Sequence, residues 1–129
     1  MAEYAPTLKN DDGMEFVEPE TRMSSAVVHN GIIYTCGMIC EEGGENKDVK
    51  QQTKDALDEL DRVLEKCGSD KHHILQMQGW VDDMSFLSDM NSVYDEWVSK
   101  EGPPGRACVQ AKLVPPCKVE FKCTAVKFK

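Results

Sequence analysis

A helical repeat of apolar side chains between residues 49 and 67 constrains the fold of this chain more than any other feature of its sequence. Side chains three and four residues apart share one face of an α-helix, and the segment keeps that spacing over about five turns. Asp48 stands at the N-cap position, and Gly68 stands where a left-handed residue ends many helices. The pattern predicts one amphipathic helix that must pack against another layer. Its apolar face comprises Val49, Thr53, Ala56, Leu57, Leu60, Val63, Leu64 and Cys67.

A β-hairpin is predicted before this helix. Residues 26–29 and 32–36 are rich in β-branched and aromatic side chains, and Asn30-Gly31 separates them. Both central positions of a type I′ turn need a positive φ, which Asn and Gly adopt most readily. We therefore expect two antiparallel strands that meet at this turn.

The remaining elements alternate between strand and helix. A second apolar stripe predicts a helix from Phe86 to Val98, and the Gly102-Pro103-Pro104-Gly105 segment ends it. The predicted order is β-β-α-β-α-β-β, an α+β sheet with both helices on one face. We expect residues 1–20 to form a loosely held N-terminal arm and residues 21–129 to form a single domain. The three further strands are predicted at residues 72–81, 106–113 and 118–128.

Charge and hydropathy limit the classes of partner. The chain has 129 residues, a net charge of −8 and a pI of about 4.8, and it has no run rich in Lys or Arg. This balance argues against nucleic acid and against an anionic membrane surface, because both are bound mainly through basic side chains. Residues 32–40 are far shorter than the roughly 18 apolar residues of a membrane span, and the first 25 residues contain no apolar signal core. We therefore expect a cytoplasmic protein that binds a small metabolite.

The cysteines and histidines do not form a metal motif. Six cysteines are present without a C-x-x-C pair, so buried free thiols are favoured over a zinc site. His72 and His73 are adjacent in a predicted strand and would face opposite ways, which favours a structural role. Asp82 and Asp83 are interpreted as helix caps.

Arg106 and Glu120 are the candidate functional residues on the predicted sheet. Arg106 follows a Gly/Pro-rich break beside small residues, and its planar fork suits a carboxylate. The alternative is a surface arginine in a salt bridge, and Glu120 is equally consistent with an exposed carboxylate paired to a lysine. The pattern alone leaves both alternatives open. The sheet face away from the helices also needs cover, and self-association would supply it.

The segments at residues 102–115 and 118–121 resemble the signature of the Rid/YjgF family of reactive-intermediate deaminases, also called L-PSP endoribonucleases. They read Gly-Pro-Pro-Gly-Arg-Ala-Cys-Val-Gln-Ala-Lys-Leu-Val-Pro and Lys-Val-Glu-Phe, and the resemblance extends over about residues 21 to 128. The resemblance implies a ferredoxin-like, chorismate-mutase-like fold. It also implies a homotrimer with a pocket at each subunit interface.

The resemblance further implies a role for individual residues. Arg106 would bind the substrate carboxylate, Glu120 would place or activate water, and Cys108 and Asn91 would line the pocket. The implied reaction is hydrolysis of 2-imino or enamine acids, such as 2-iminobutanoate and 2-iminopropanoate, to 2-keto acids and ammonia. It requires neither a metal nor an organic cofactor.

The sequence also departs from the best-known deaminases of this family. Met23 replaces a tyrosine, and Cys36 replaces the serine of the turn that ends in Gly37. These changes predict a larger or more apolar ligand, or a weaker deaminase. A non-catalytic carboxylate sensor or chaperone-like trimer is the second hypothesis. An endoribonuclease is the third, which the acidic charge disfavours.

Overall fold

The computed structural model describes residues 3–40 and 44–129. In these residues seven strands form one sheet in the order β1-β2-β3-β4-β7-β5-β6, in which β5 and β6 are parallel and the other neighbours antiparallel. The helices are α1 (Val49–Lys66) and α2 (Leu87–Trp97). The strands are β1 (Leu8–Lys9), β2 (Glu15–Val17), β3 (Ala26–His29), β4 (Ile32–Thr35), β5 (Ile74–Val81), β6 (Gly105–Gln110) and β7 (Val119–Val126).

The local predictions for the hairpin and for α1 are confirmed. Asn30 and Gly31 have φ angles of 51° and 78°, as the turn between β3 and β4 requires. Asp48 caps α1 by accepting a hydrogen bond from the Gln51 N–H at 2.9 Å. Gly68 has a φ of 82° directly after the helix, in the left-handed region that favours glycine.

Both helices pack on one face of the sheet, as predicted. Leu57, Leu60 and Leu64 of α1 are buried, and Tyr94 of α2 stacks on Phe121 of β7 with ring centroids 6.1 Å apart. Burying each large apolar side chain contributes about 1.5–3 kcal/mol, so this layer holds the helices in place. The opposite side of the sheet, here called the open face, carries no helix among the described residues.

The prediction of a loosely held N-terminal arm is wrong for residues 8–18. Strands β1 and β2 extend the sheet beyond β3, and Glu18 directly after β2 is only 2% exposed. The Glu18 carboxylate accepts hydrogen bonds from both terminal nitrogens of Arg62 at 2.7 and 2.9 Å and from Lys66 at 3.0 Å. These bonds join the arm to α1, so residues 8–18 are an integral part of the fold.

The two histidines have the structural role expected of them, but they do not lie in a strand. They end a short 3₁₀ turn before β5. The His72 ring pairs with the Ser99 hydroxyl at 2.9 Å, and the His73 ring stacks on Phe128 at 3.9 Å. Within residues 3–40 and 44–129 no helix has the length and apolar character needed to cross a membrane.

Of the two aspartates interpreted as caps, Asp83 is one and Asp82 is not. The Asp83 carboxylate accepts from the Ser85 N–H at the start of a 3₁₀ turn, at 2.8 Å. The Asp82 carboxylate instead accepts from the Leu113 N–H at 2.7 Å. Asp82 therefore fixes the chain that leaves β6 and caps no helix.

Candidate functional site

Arg106 lies at the start of the edge strand β6, directly after the Gly/Pro-rich break. It is paired with Met77 of β5, whose side chain is fully buried beneath the helices. Paired residues of neighbouring strands share a face, so Arg106 lies on the helix side of the sheet. Its guanidinium carbon is 4.7 Å from the centroid of the Tyr94 ring. Among the described residues no side chain forms a salt bridge or hydrogen bond with Arg106, so the surface salt bridge considered from the sequence is absent there.

Tyr94 is a candidate functional residue that the sequence analysis does not single out. It belongs to the apolar stripe that predicts the second helix, and it is 5% exposed. One face of its ring stacks on Phe121, while the Arg106 guanidinium packs against the ring. An aromatic ring in this position attracts a cation and limits its motion. The sequence did offer one signal for Tyr94: it lies one helical turn after Asn91, so the two side chains share a face of the helix.

Cys108 lies on the same side of the sheet as Arg106. A Cβ on Gly79 of β5 would lie 3.3 Å from the Cys108 sulfur and 3.5 Å from the Phe121 ring, so the absence of a side chain at Gly79 gives the thiol its place. Burial raises the pKa of Cys108, and the Arg106 charge opposes this only in part. The thiol is therefore protonated at neutral pH and suits a lining group better than a nucleophile.

Asn91 of α2 carries a buried polar atom without a partner. Its Oδ1 forms no hydrogen bond within residues 3–40 and 44–129. A buried acceptor that lacks a donor costs about 1–3 kcal/mol, so such atoms in folded proteins call for an explanation. A hydrogen-bond donor on a ligand would satisfy it. We refer to Arg106, Tyr94 and Cys108 as the arginine group; Asn91 lies one helical turn before Tyr94 on α2.

Glu120 lies on the other face of the sheet. It is paired with Trp80 of β5, three residues after Met77, and side chains alternate between faces along a strand. Glu120 therefore belongs to the open face, whereas Arg106 belongs to the helix side. The two residues also lie on strands separated by β5. The backbones of β6 and β7 are therefore about 10 Å apart within the sheet, in addition to the separation between its two faces. The structure does not bring Arg106 and Glu120 together within one chain.

Gly37 lies directly against the Glu120 carboxyl group. A Cβ at Gly37 would overlap Oε2 of Glu120 and lie 2.9 Å from its carboxyl carbon. The approach is fixed by the next residue, because Met38 and Phe121 exchange backbone hydrogen bonds of 2.6 and 3.0 Å. Burial raises the pKa of Glu120. The carboxyl group is thus positioned and tuned to exchange a proton more readily near neutral pH than an exposed glutamate.

Cys36 precedes Gly37 and is half-buried. Burial raises the pKa of its thiol, and the charge of Glu120 adds to the effect. We refer to Glu120, Gly37 and Cys36 as the glutamate group. Met23, also predicted to be a pocket residue, lies between β2 and β3 with a side chain 53% exposed. The contacts above assign Met23 to neither group.

The described residues were compared with the clusters of side chains that bind metal ions in proteins. In residues 3–40 and 44–129 no three His, Cys, Asp or Glu side chains are close enough together to hold an ion. The functional groups present are instead a guanidinium, a carboxyl group with a raised pKa, and thiols. They suit binding of an organic anion and proton transfer.

Comparisons with known proteins identify the family to which the chain belongs. The family model described as Endoribonuclease L-PSP matches residues 15–127. The RutC family protein YoaB of Escherichia coli is 38% identical over 112 residues, covering 84% of this chain and 94% of that protein. A RutC family protein of Haemophilus influenzae is 39% identical over 98 residues, covering 76% and 84%. A crystal structure of a YjgF family member from Neisseria meningitidis has a TM-score of 0.86 at 40% identity, covering 93% of this chain and 99% of that one.

The fold and the two groups thus define an α+β protein with an exposed arginine packed against Tyr94 on one sheet face and a half-buried carboxyl group on the other. The chain belongs to the endoribonuclease L-PSP family, with relatives in the RutC and YjgF families. The resemblance inferred from residues 102–121 is confirmed, and so is the α+β fold class.

Proposed function

We propose that this protein hydrolyses reactive 2-imino and enamine acids to 2-keto acids and ammonia, without a cofactor, in a pocket between subunits. One observation carries the proposal. Arg106 is exposed and held against the Tyr94 ring, and no acidic side chain of the described residues neutralises it. A cation held in this way is suited to a carboxylate ligand, which its two parallel N–H groups bind in a fixed orientation.

The remaining residues fit the steps of this reaction. An enamine becomes an imine by taking a proton on carbon, and the protonated C=N carbon is then electrophilic. Water adds to that carbon while Glu120 accepts a proton, and ammonia leaves as the C=O bond forms. The raised pKa of Glu120 brings it closer to the range in which one group both accepts and returns a proton. Holding the carboxylate on Arg106 aligns the carbon with that water.

A homotrimer is part of the proposal, because the two groups lie on opposite faces of one sheet. A second chain would have to place its glutamate group against the arginine group of the first. The open face also exposes apolar side chains, including Tyr34 at 51% and Val109 at 46% exposure. Such patches are typical of interaction surfaces, and closed rings of identical chains are a common arrangement.

Binding of a carboxylate metabolite without turnover is a second candidate. It is favoured by Met23 and Cys36, which leave the pocket without the hydroxyl groups that the better-known deaminases have there. The arginine group would still bind a 2-keto acid. The endoribonuclease of the family name is not favoured, because a net charge of −8 opposes binding of a polyanion.

The test is a coupled assay. An amino-acid dehydratase generates 2-aminoacrylate or 2-iminobutyrate, and semicarbazide traps whatever imine has not been hydrolysed. We expect the wild type to divert the imine to keto acid and Arg106→Ala to lose this activity. Lys50→Ala, which removes an exposed cation from α1, is the matched control and should retain it.

Equal rates with wild type, Arg106→Ala and no protein would reject the deaminase. In that case a rise in melting temperature with a 2-keto acid, lost in Arg106→Ala, would identify a binding protein instead.

A further inference from the structure

A row of three side chains crosses the open face at the level of Glu120. In the sheet Glu120 of β7 is paired with Trp80 of β5, and Trp80 is paired in turn with Val109 of β6. Side chains directly opposite each other on neighbouring strands have Cβ atoms about 5 Å apart. Trp80 therefore lies between Glu120 and Val109, whose side chain is 46% exposed.

Another apolar side chain borders Glu120 on the side away from β5. Met38 forms an antiparallel bridge with Phe121, so the residue after Met38 lies opposite the residue before Phe121. That residue is Ile39, which is 41% exposed, whereas Met38 itself is buried. Glu120 thus has an apolar neighbour on each side across the sheet, and burial raises its pKa, as such surroundings do.

Two lysines continue the alternation of β7 on the same face. The Lys118 ammonium donates to the Lys47 carbonyl at 3.0 Å, so it is already engaged. Lys122 is exposed and is paired with Gln78 of β5. A second carboxylate on a ligand could reach Lys122, but it would then lie close to the Glu120 carboxylate. Repulsion between the two like charges disfavours a ligand of that kind.

The proposed reaction limits where the side chain of a substrate can lie. The substrate carboxylate is held by Arg106 of one chain, and the imine carbon must lie within reach of a water on Glu120 of another chain. The remaining substituent of that carbon is the side chain of the parent amino acid. With the carboxylate directed at Arg106, this side chain is left to the surface that borders Glu120.

We propose that Trp80 is a specificity-determining residue of this site, and that the substrates are 2-imino acids with large apolar side chains, such as the imines of leucine and phenylalanine. The inference rests on the proposed function, because it places the substrate carbon beside Glu120. Trp80 supplies the surface directly next to Glu120, and Val109 and Ile39 extend it. A methyl or ethyl group would leave most of this surface in water, whereas an isobutyl or benzyl group would cover it. Each buried CH₂ raises affinity by a factor of about four.

Calorimetry with 2-keto acids tests this specificity apart from turnover, because a keto acid carries the carboxylate and side chain of its imine. We expect 4-methyl-2-oxopentanoate to bind about tenfold more tightly than 2-oxobutanoate, since it buries two more carbons. In Trp80→Ala the ratio should fall to about twofold, and Trp80→Phe should keep most of it. Leu8→Ala is the matched control, since it removes an apolar side chain, 57% exposed, from the opposite edge of the sheet and should leave the ratio unchanged.

The reaction itself provides the same comparison. An L-amino-acid oxidase with catalase generates the imine of leucine or of 2-aminobutyrate at equal rates, and semicarbazide traps what is not hydrolysed. We expect kcat/KM to favour the leucine imine about tenfold in wild type and about twofold in Trp80→Ala. Circular dichroism establishes that each variant is folded, and Trp80→Val replaces Trp80→Ala if the alanine variant is not.

Equal affinities of wild type for the two keto acids, or an affinity ratio that Trp80→Ala leaves unchanged, would overturn the inference. So would tighter binding of 2-oxoglutarate than of 4-methyl-2-oxopentanoate, since that result would make Lys122 the specificity determinant. Selective binding without any deamination would reject the proposed function and leave Trp80 as a determinant of binding. Deamination of both imines with equal kcat/KM would reject the role of Trp80 and leave the proposed function standing. Failure to bind any of these keto acids would overturn both.

Discussion

Replacing Glu18 with glutamine should remove a large part of the stability of this protein at neutral pH. The Glu18 carboxylate is 2% exposed, and its bonds to Arg62 and Lys66 join the N-terminal arm to α1. Arg62, together with Ser25 and Lys66, lowers the Glu18 pKa from its ordinary value of 4.5 to about 2. At ~1.36 kcal/mol per pH unit, the difference corresponds to about 3 kcal/mol at pH 7.

The pH dependence follows from the direction of this change. A carboxylate whose pKa is lowered by folding stabilises the protein above its unfolded pKa, here 4.5, and loses that effect as the pH falls toward about 2. The contribution of Glu18 should therefore be nearly constant from pH 7 to pH 5.5. It should fall to about 1.4 kcal/mol at pH 3.

Urea unfolding of wild type and Glu18→Gln at one protein concentration measures this difference directly. Asp58→Asn is the matched control, since its pair with Lys54 is exposed on both sides, at 62% and 58%, and should contribute less than about 1 kcal/mol. The reasoning is refuted if Glu18→Gln unfolds like wild type at pH 7. It is refuted equally if the loss is the same at pH 3 as at pH 7.

Three further outcomes are expected at the two groups. Tyr94→Leu should weaken 2-keto acid binding by about 2–30-fold, because Arg106 loses an aromatic contact of about 0.5–2 kcal/mol, while Tyr94→Phe should bind nearly as wild type in calorimetry. Equal affinities for the two variants would remove Tyr94 from the site. Gly37→Ala should displace the Glu120 carboxyl group and lower kcat more than it changes KM, and an unchanged kcat would contradict the overlap described above. The deaminase rate should fall as the pH drops through the raised pKa of Glu120, at a higher pH than 4.5, and a pH profile that Glu120→Gln leaves unaltered would exclude Glu120 as the base.

The elements predicted well from the sequence are those that local interactions determine. The turn at Asn30-Gly31 needs only two residues with positive φ, and α1 needs only its apolar spacing and its caps. The N-terminal arm could not be predicted in this way. Its attachment depends on Glu18 and Arg62, which are 44 residues apart and look like ordinary surface charges in the sequence. Only the folded chain shows that Glu18 is buried.

The candidate site was predicted as a set of residues and not as an arrangement. Arg106 and Glu120 were both identified, but their faces depend on the registers of β5 with β6 and with β7, which the sequence does not specify. Tyr94 was hidden in a stripe that also serves the core.

Arg106 and Glu120 lie on opposite faces of the sheet, so in the proposed site they come from two different chains. Two inactive variants, each lacking one of these residues, should therefore form active sites when they assemble together. Arg106→Ala retains an intact glutamate group, and Glu120→Ala retains an intact arginine group. The two variants are unfolded, mixed in equal amounts and refolded. In randomly assembled trimers about one pocket in four then receives Arg106 from a Glu120→Ala chain and Glu120 from an Arg106→Ala chain. A mixture of two inactive proteins should thus regain about a quarter of the wild-type rate. A site contained within one chain would regain nothing.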